Sequence, residues 1–167
     1  MAAATIPYAK YLAGREALEV LSATPARLKE LVDTLGPARL NESYAPGKWT
    51  LNIVLCHLAD CELAFSYRWR QVVAQPHHAV QTFDQDAWAA NYRALDPQVA
   101  LAAFCANRLW SVNWLKSLTA DQLAKTLSHP ELGELTLHQI LQVTAGHDLN
   151  HLGQFEQVVA AQAGDRV

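Results

Sequence analysis

The chain has 167 residues, 51% of them apolar and 17% charged, a balance that suits one compact domain with a sizeable core and excludes a disordered chain. Thirteen Lys and Arg against sixteen Asp and Glu leave a net charge of −3, which gives no basic footprint for nucleic acid. No apolar run approaches the ~20 residues of a membrane span. The three cysteines, Cys56, Cys61 and Cys105, match neither zinc-ribbon nor disulfide-scaffold spacing. The N-terminal run Met-Ala-Ala-Ala-Thr-Ile-Pro lacks the basic start and apolar stretch of a signal peptide, so a reducing cytoplasm is expected, with free thiols. Residues 1–167 are expected to form a single domain.

In chain order, helical periodicity predicts a first helix from Tyr8 to Leu21. Thr24-Pro25 reads as an N-cap followed by proline at the first helical position, opening a second helix that ends near Gly36-Pro37. Asn41 to Lys48 is a loop, and Thr50 caps a long helix reaching Ala74. Gln75 to Asp96 is an irregular crossover with a short helix over Gln85–Arg93. Asp96-Pro97 opens a further long helix ending near Leu118, and Ser128 to Glu134 is a loop. Thr136 and Gln139 form a capping box for a last helix running to Ala163. No strand pattern, internal repeat or low-complexity tract stands out. The expectation is an all-α four-helix bundle with a long crossover and short extra helices.

Three of these helices carry ionisable groups in their apolar stripes. In the last, Thr144, His147, Asp148 and His151 share a face with Leu137, Ile140, Leu141, Phe155 and Val158. In the helix from Thr50, Glu62 lies within the stripe of Leu55, Leu58, Phe65 and Trp69, with His57 and Cys61 on its border. In the helix from Pro97, Arg108 lies near the centre of the stripe of Leu101, Phe104, Val112 and Leu115. Burying such groups costs several kcal/mol unless they find partners, so the faces are expected to meet in one polar pocket. His147 and His151 stand one helical turn apart and can reach one ion, with His57 as a third ligand. Three imidazoles leave coordination positions open, the pattern of a catalytic rather than a structural site.

Each residue also has a plainer role to weigh. A histidine pair on a helix can be a hydrogen-bonded core pair, and His57 a satisfied border residue. Asp148 and Glu62 are candidates for orienting a ligand or acting as general base, and equally for pairing with Arg108 as core ion pairs. Gln154, one turn beyond His151, can touch the pocket or cap its rim. Cys61 reads as a packed small side chain rather than a ligand. Arg15, also on an inward face, is a candidate with Arg108 for a substrate carboxylate. His77, His78 and His129 fall in the crossover and a loop, and His138 lies opposite His147 on its helix. The five tryptophans read as core or interface residues.

Several segments carry a resemblance in order and spacing. They are Gly14-Arg15-Glu16, Gly47-Lys48-Trp49-Thr50, His57-Leu58-Ala59-Asp60-Cys61-Glu62 and Phe83-Asp84-Gln85-Asp86-Ala87-Trp88. They continue with Gly133-Glu134-Leu135-Thr136-Leu137 and the run from Gly146-His147-Asp148 through His151 to Gln154. Nearly the whole chain resembles the DinB-like family of bacterial four-helix-bundle proteins, which includes thiol-dependent S-transferases. The resemblance implies a metal held by His57, His147 and His151 and a bundle that often forms a homodimer. Better-known relatives are similar to bacillithiol or mycothiol transferases and a thiol-dependent isomerase.

The leading expectation is a metal-dependent enzyme acting on a small molecule, with a low-molecular-weight thiol as one substrate. Its divalent transition metal is zinc or nickel first, with iron or manganese next. Asp148, Glu62 and Arg108 are the candidate catalytic residues. The alternatives are metal-assisted hydrolysis with Asp148 or Glu62 as base, a non-catalytic stress-related protein holding a metal or small molecule, and a purely structural dimer.

Overall fold

Four long helices make the frame, and a computed structural model describes it over residues 6–164. The signal-peptide reading falls largely on residues 1–5, which lie outside those described. The elements are α1 (Ala9–Leu12), α2 (Ala17–Arg39), α3 (Leu51–Ala74), α4 (Gln85–Ala89), α5 (Pro97–Leu115), α6 (Ala120–Leu123), β1 (Thr126–His129), β2 (Gly133–Thr136) and α7 (Leu137–Gly164). The expected all-α four-helix bundle with a crossover between its second and third long helices is present. α2 packs on α7 and α5, and α3 on α5 and α7, closing the ring.

The core divides into two apolar clusters. One gathers Leu21, Trp69, Val112, Leu115, Leu127, Leu137 and Leu141. The other gathers Leu28, Leu35, Leu51, Leu55, Phe104, Phe155 and Val158. Burying each large apolar side chain contributes roughly 1.5–3 kcal/mol. In each long helix at least one buried polar residue falls between the two clusters: Thr24 in α2, Glu62 in α3, Arg108 in α5, His147 and Asp148 in α7. The bundle therefore carries one polar layer across its waist. The order of the clusters also gives the topology. α2 and α7 pass from the first cluster to the second, and α3 and α5 pass from the second to the first. The pairs α2–α7 and α3–α5 thus run parallel, which is why α3 and α5 need a long crossover between them.

Four details depart from the sequence reading. The helix expected over Tyr8–Leu21 breaks after Leu12, where Ala13 (φ 49) and Gly14 (φ 83) take left-handed conformations. Thr24-Pro25 starts nothing: Pro25 lies inside α2, and the Thr24 hydroxyl donates to the Val20 carbonyl at 2.9 Å. A mid-helix proline leaves the carbonyl four residues earlier without its donor. Here that carbonyl belongs to Leu21, and Arg108 Nη1 approaches it to 3.5 Å. The stretch before α7 is a hairpin rather than a loop, with Leu127 opposite Leu135, both buried against the first cluster. α5 stops at Leu115, three residues short of the expected end.

The caps are as read at Asp96, whose Oδ1 accepts from the Gln98 amide at 2.8 Å, and at Thr136–Gln139, where each side chain bonds the other's backbone amide. The crossover is tied to α3 by the Tyr92 hydroxyl, which donates to Asp60 Oδ2 at 2.7 Å. Of the tryptophans, Trp69 is fully buried and Trp110 lies on the surface. No helix among the described residues is long and apolar enough to cross a membrane.

Candidate metal centre

α3 delivers His57 and α7 delivers His147 and His151 to one point near the waist. His147 Nε2 lies 3.2 Å from His57 Nε2 and 3.2 Å from His151 Nε2. Ligand atoms of the three residues lie within 4.8 Å of one another, and all three residues are buried. For a zinc-like ion with nitrogen ligands at about 2.0–2.1 Å, the edge of a tetrahedron is roughly 3.3 Å. The spacing here is that of an edge of such a coordination shell.

The protonation states suit ligation. Burial and the neighbouring His151 push the His57 imidazole down to about 3. Burial, with His151, His57 and Arg108 nearby, holds His147 well below the ordinary histidine value. Burial also lowers His151, against the opposing pull of Gln154 and Asp148. All three rings are therefore neutral near pH 7. With Gln154 Oε1 as acceptor at 2.9 Å, His151 Nδ1 carries the ring proton and Nε2 presents a lone pair. The His147 ring is packed edge-on by Tyr8 and by Phe65, each at 5.6 Å between centroids, and its Nδ1 has no hydrogen-bond partner among the described residues. Trp49 packs on His57 at 5.1 Å. Cys61 Sγ lies 3.5 Å from His57 Nε2, and burial drives its thiol far above the ordinary range, so it is a neutral packed side chain.

The three rings form part of the wall of an open cleft of about 270 Å³. Tyr8, Tyr44, Trp49, Lys48, Asp86 and Asn150 line the rest with their neighbours. Gln154 reaches it as well. The aromatic wall escaped the sequence reading. Tyr8, Tyr44 and Trp49 lie outside the long helices, where no periodicity marks an inward face. In the sequence, Pro46-Gly47 marked the loop and Trp49 stood in the resembling segment Gly47-Lys48-Trp49-Thr50.

Glu62, Asp148 and Arg108 meet each other and are not among the residues lining this cleft. Arg108 Nε donates to Glu62 Oε2 at 2.7 Å, Nη2 donates to Asp148 Oδ1 at 3.2 Å, and Nη1 bonds Asp148 Oδ2. The three residues are each 1% exposed. The core ion pairing left open by the sequence is the arrangement found, as a triad. Burial pulls Arg108 down, but the two carboxylates outweigh it and leave the guanidinium above its ordinary value. One cation facing two carboxylates leaves an excess negative charge. Burial, only partly offset by Arg108, pushes Glu62 up to about 7, which relieves that excess. Glu62 Oε1 has no partner among the described residues. Arg15 does not reach the cleft. Its Nε and Nη2 donate to the carbonyls of Leu12 and Tyr11, closing the end of α1.

These shifts set a pH dependence for the metal-free protein. Below the ordinary histidine value of 6.5, the unfolded chain takes up protons that the folded rings resist, so stability falls as pH drops. Glu62 acts oppositely: between 4.5 and about 7 the folded state holds a proton that the unfolded chain has released. Three lowered histidines act against one raised carboxylate, so the net slope takes the histidines' sign. The urea midpoint of metal-free protein is expected to drop between pH 6.5 and pH 5. A midpoint that is flat or rises toward acid would contradict the buried neutral imidazoles.

A sequence model described as the DinB superfamily matches residues 21–155, most of the chain and all three histidines. The chain belongs to the DinB superfamily. Among curated relatives, it is 27% identical over 145 residues to YfiT of Bacillus subtilis, covering 84% of this chain and 81% of that one. It is 27% identical over 129 residues to OB0782 of Oceanobacillus iheyensis, covering 77% and 75%. Both carry provisional names as metal-dependent hydrolases. The solved structure of B. subtilis YfiT, described as an unusual four-helix bundle topology, superposes with a TM-score of 0.81 at 25% identity, covering 88% of this chain and 86% of that chain. The parallel pairing of α2 with α7 and α3 with α5 is this chain's departure from an up-down bundle.

Proposed function

We propose that this DinB superfamily member is a metal-dependent enzyme in which His57, His147 and His151 hold one divalent cation beside a small-molecule cleft. The observation that carries this reading is the triangle of neutral imidazole nitrogens, 3.2 Å from His147 to each partner, on the wall of an open cavity. Three protein ligands leave room for a fourth from solution. Zinc or nickel suits the nitrogen set first, with iron or manganese next. When bound, such an ion supplies a Lewis acid that ionises a thiol or water. Gln154 holds His151 in the ligating tautomer. Replacing it with leucine is expected to weaken metal affinity about 10–100-fold in a competition titration against a chromophoric chelator. Unchanged affinity would remove that role.

The reaction we favour is transfer of a low-molecular-weight thiol to an electrophile. A thiol can lose its proton to solvent, so it needs no carboxylate base in the site. That matches a cleft whose neighbouring buried carboxylates, Glu62 and Asp148, are both engaged by Arg108. A role in turnover for these three is thus one of holding α3, α5 and α7 in register behind the imidazoles. Hydrolysis is the second reading. The names of the relatives favour it, as does Asp86, an acid on the cleft wall that could serve as base. The two separate by assaying metal-loaded protein with a chromogenic electrophile, with and without thiols. Thiol-dependent turnover supports transfer, and thiol-independent release supports hydrolysis. Stoichiometric metal without turnover of either kind would leave a non-catalytic metal-holding protein.

A cytoplasmic homodimer belongs to the same proposal. Leu63 and Tyr67 on α3 and Val99 and Trp110 on α5 are each at least 60% exposed on adjacent helices, an apolar surface suited to a second copy.

A further inference from the structure

Tyr8 holds a backbone conformation that bulky residues rarely adopt, φ 61 and ψ 0. Such a conformation persists only where its surroundings over-determine it, and it concentrates at functional positions. Here the surroundings are specific. The Tyr8 carbonyl and Cβ press on α7 at Gly146, the residue before His147. A Cβ on Gly146 would stand 2.5 Å from the Tyr8 oxygen and 2.8 Å from its Cβ. A glycine inside a long helix weakens it, so this notch has a cost that the close approach of Tyr8 explains. Arg15 closes the arm by bonding the Leu12 and Tyr11 carbonyls. The seated Tyr8 ring packs edge-on against His147, at 87°, and lines the cleft with the three imidazoles.

We propose that Tyr8 is a substrate-binding residue whose phenol O–H donates a hydrogen bond to the anionic atom, thiolate or oxyanion, of the ligand bound beside the three imidazoles. The inference rests on the metal-enzyme reading above and adds the residue that receives the ligand. A neutral donor on the wall of a site of negative charge favours the ionised ligand without adding a cation beside the metal.

The test uses the full-length chain loaded with cobalt(II), with binding read from its visible absorption. 2-Mercaptoethanol is titrated as the thiol probe and acetate as the oxyanion probe. Tyr8→Phe keeps the ring on His147 and removes the hydroxyl. It is expected to retain one cobalt per chain and the probe-free spectrum while the apparent Kd for a probe rises on the order of 10-fold. Weakening confined to 2-mercaptoethanol assigns the contact to a thiolate, and weakening confined to acetate assigns it to an oxyanion. Gly146→Ala, whose new methyl would push the arm away, is expected to weaken the same probe as strongly. The proposal is overturned if Tyr8→Phe binds both probes as the wild type does, or if it loses cobalt, which would make the ring a prop for His147. Wild-type probe affinity in Gly146→Ala would likewise overturn the seating of the phenol by that contact. Failure of the wild type to take up cobalt is seen before any probe is added, and defeats the metal reading itself.

Discussion

His147→Ala is expected to leave the purified protein without its metal and without turnover. His147 is the common neighbour of the triangle, with its Nε2 3.2 Å from each of the other two nitrogens. Removing it leaves two imidazoles, His57 and His151, one from each helix, where three met. Loss of a residue that merely orients a ligand costs about 10–100-fold in affinity or activity, so loss of the ligand itself should exceed 100-fold in both. The helix tolerates the change, because alanine is the best helix former. The measurement is metal content after dialysis beside kcat/KM for the thiol and hydrolysis assays. A variant with one equivalent of metal and full turnover would show that the ion, if any, lies elsewhere. The companion His57→Ala should behave alike, because α3 supplies no second imidazole to the triad.

Arg108→Met is expected to be among the most destabilising single changes in the chain. It strands Glu62 and Asp148, each 1% exposed, and frees the Leu21 carbonyl that Pro25 cannot serve. Breaking a buried ion pair by removing one partner costs about 3–5 kcal/mol. For a chain of this size that corresponds to a fall in Tm of roughly 6–20 °C. The triple variant Arg108→Met, Glu62→Gln, Asp148→Leu removes both stranded charges and should recover most of the loss. Urea unfolding of both variants checks this. An Arg108→Met protein as stable as the wild type would mean that the triad does not bear on the fold.

The long helices and the triad were legible in the sequence for one reason. Helical period turns spacing into a face, and a polar residue on an apolar face is conspicuous. His147 and His151 stood out that way, as did Glu62, Arg108 and Asp148. Periodicity could not say which of those polar residues would face the cleft and which would pair among themselves, because that depends on how helices rotate against one another. Arg108 resolves it by taking both carboxylates. The break after Leu12 carried one signal, Gly14, which the apolar periodicity running on to Leu21 outweighed. Pro25 misled because its cost is offset from another helix, through Arg108. The hairpin of Thr126–His129 with Gly133–Thr136 was too short to show alternation. The cleft's aromatic wall has no signature at all in spacing, since Tyr8 and Trp49 reach it from outside the bundle helices.

X-ray absorption at the metal edge of the loaded protein is the most direct measurement of whether three imidazoles share one cation with a position open to solution. Three nitrogen scatterers at about 2.0–2.1 Å are expected, with imidazole outer-shell features and one or two exchangeable light atoms that change on adding a thiol. A spectrum with a sulfur scatterer in the absence of added thiol, with fewer than three imidazoles, or with no bound metal at all would contradict it.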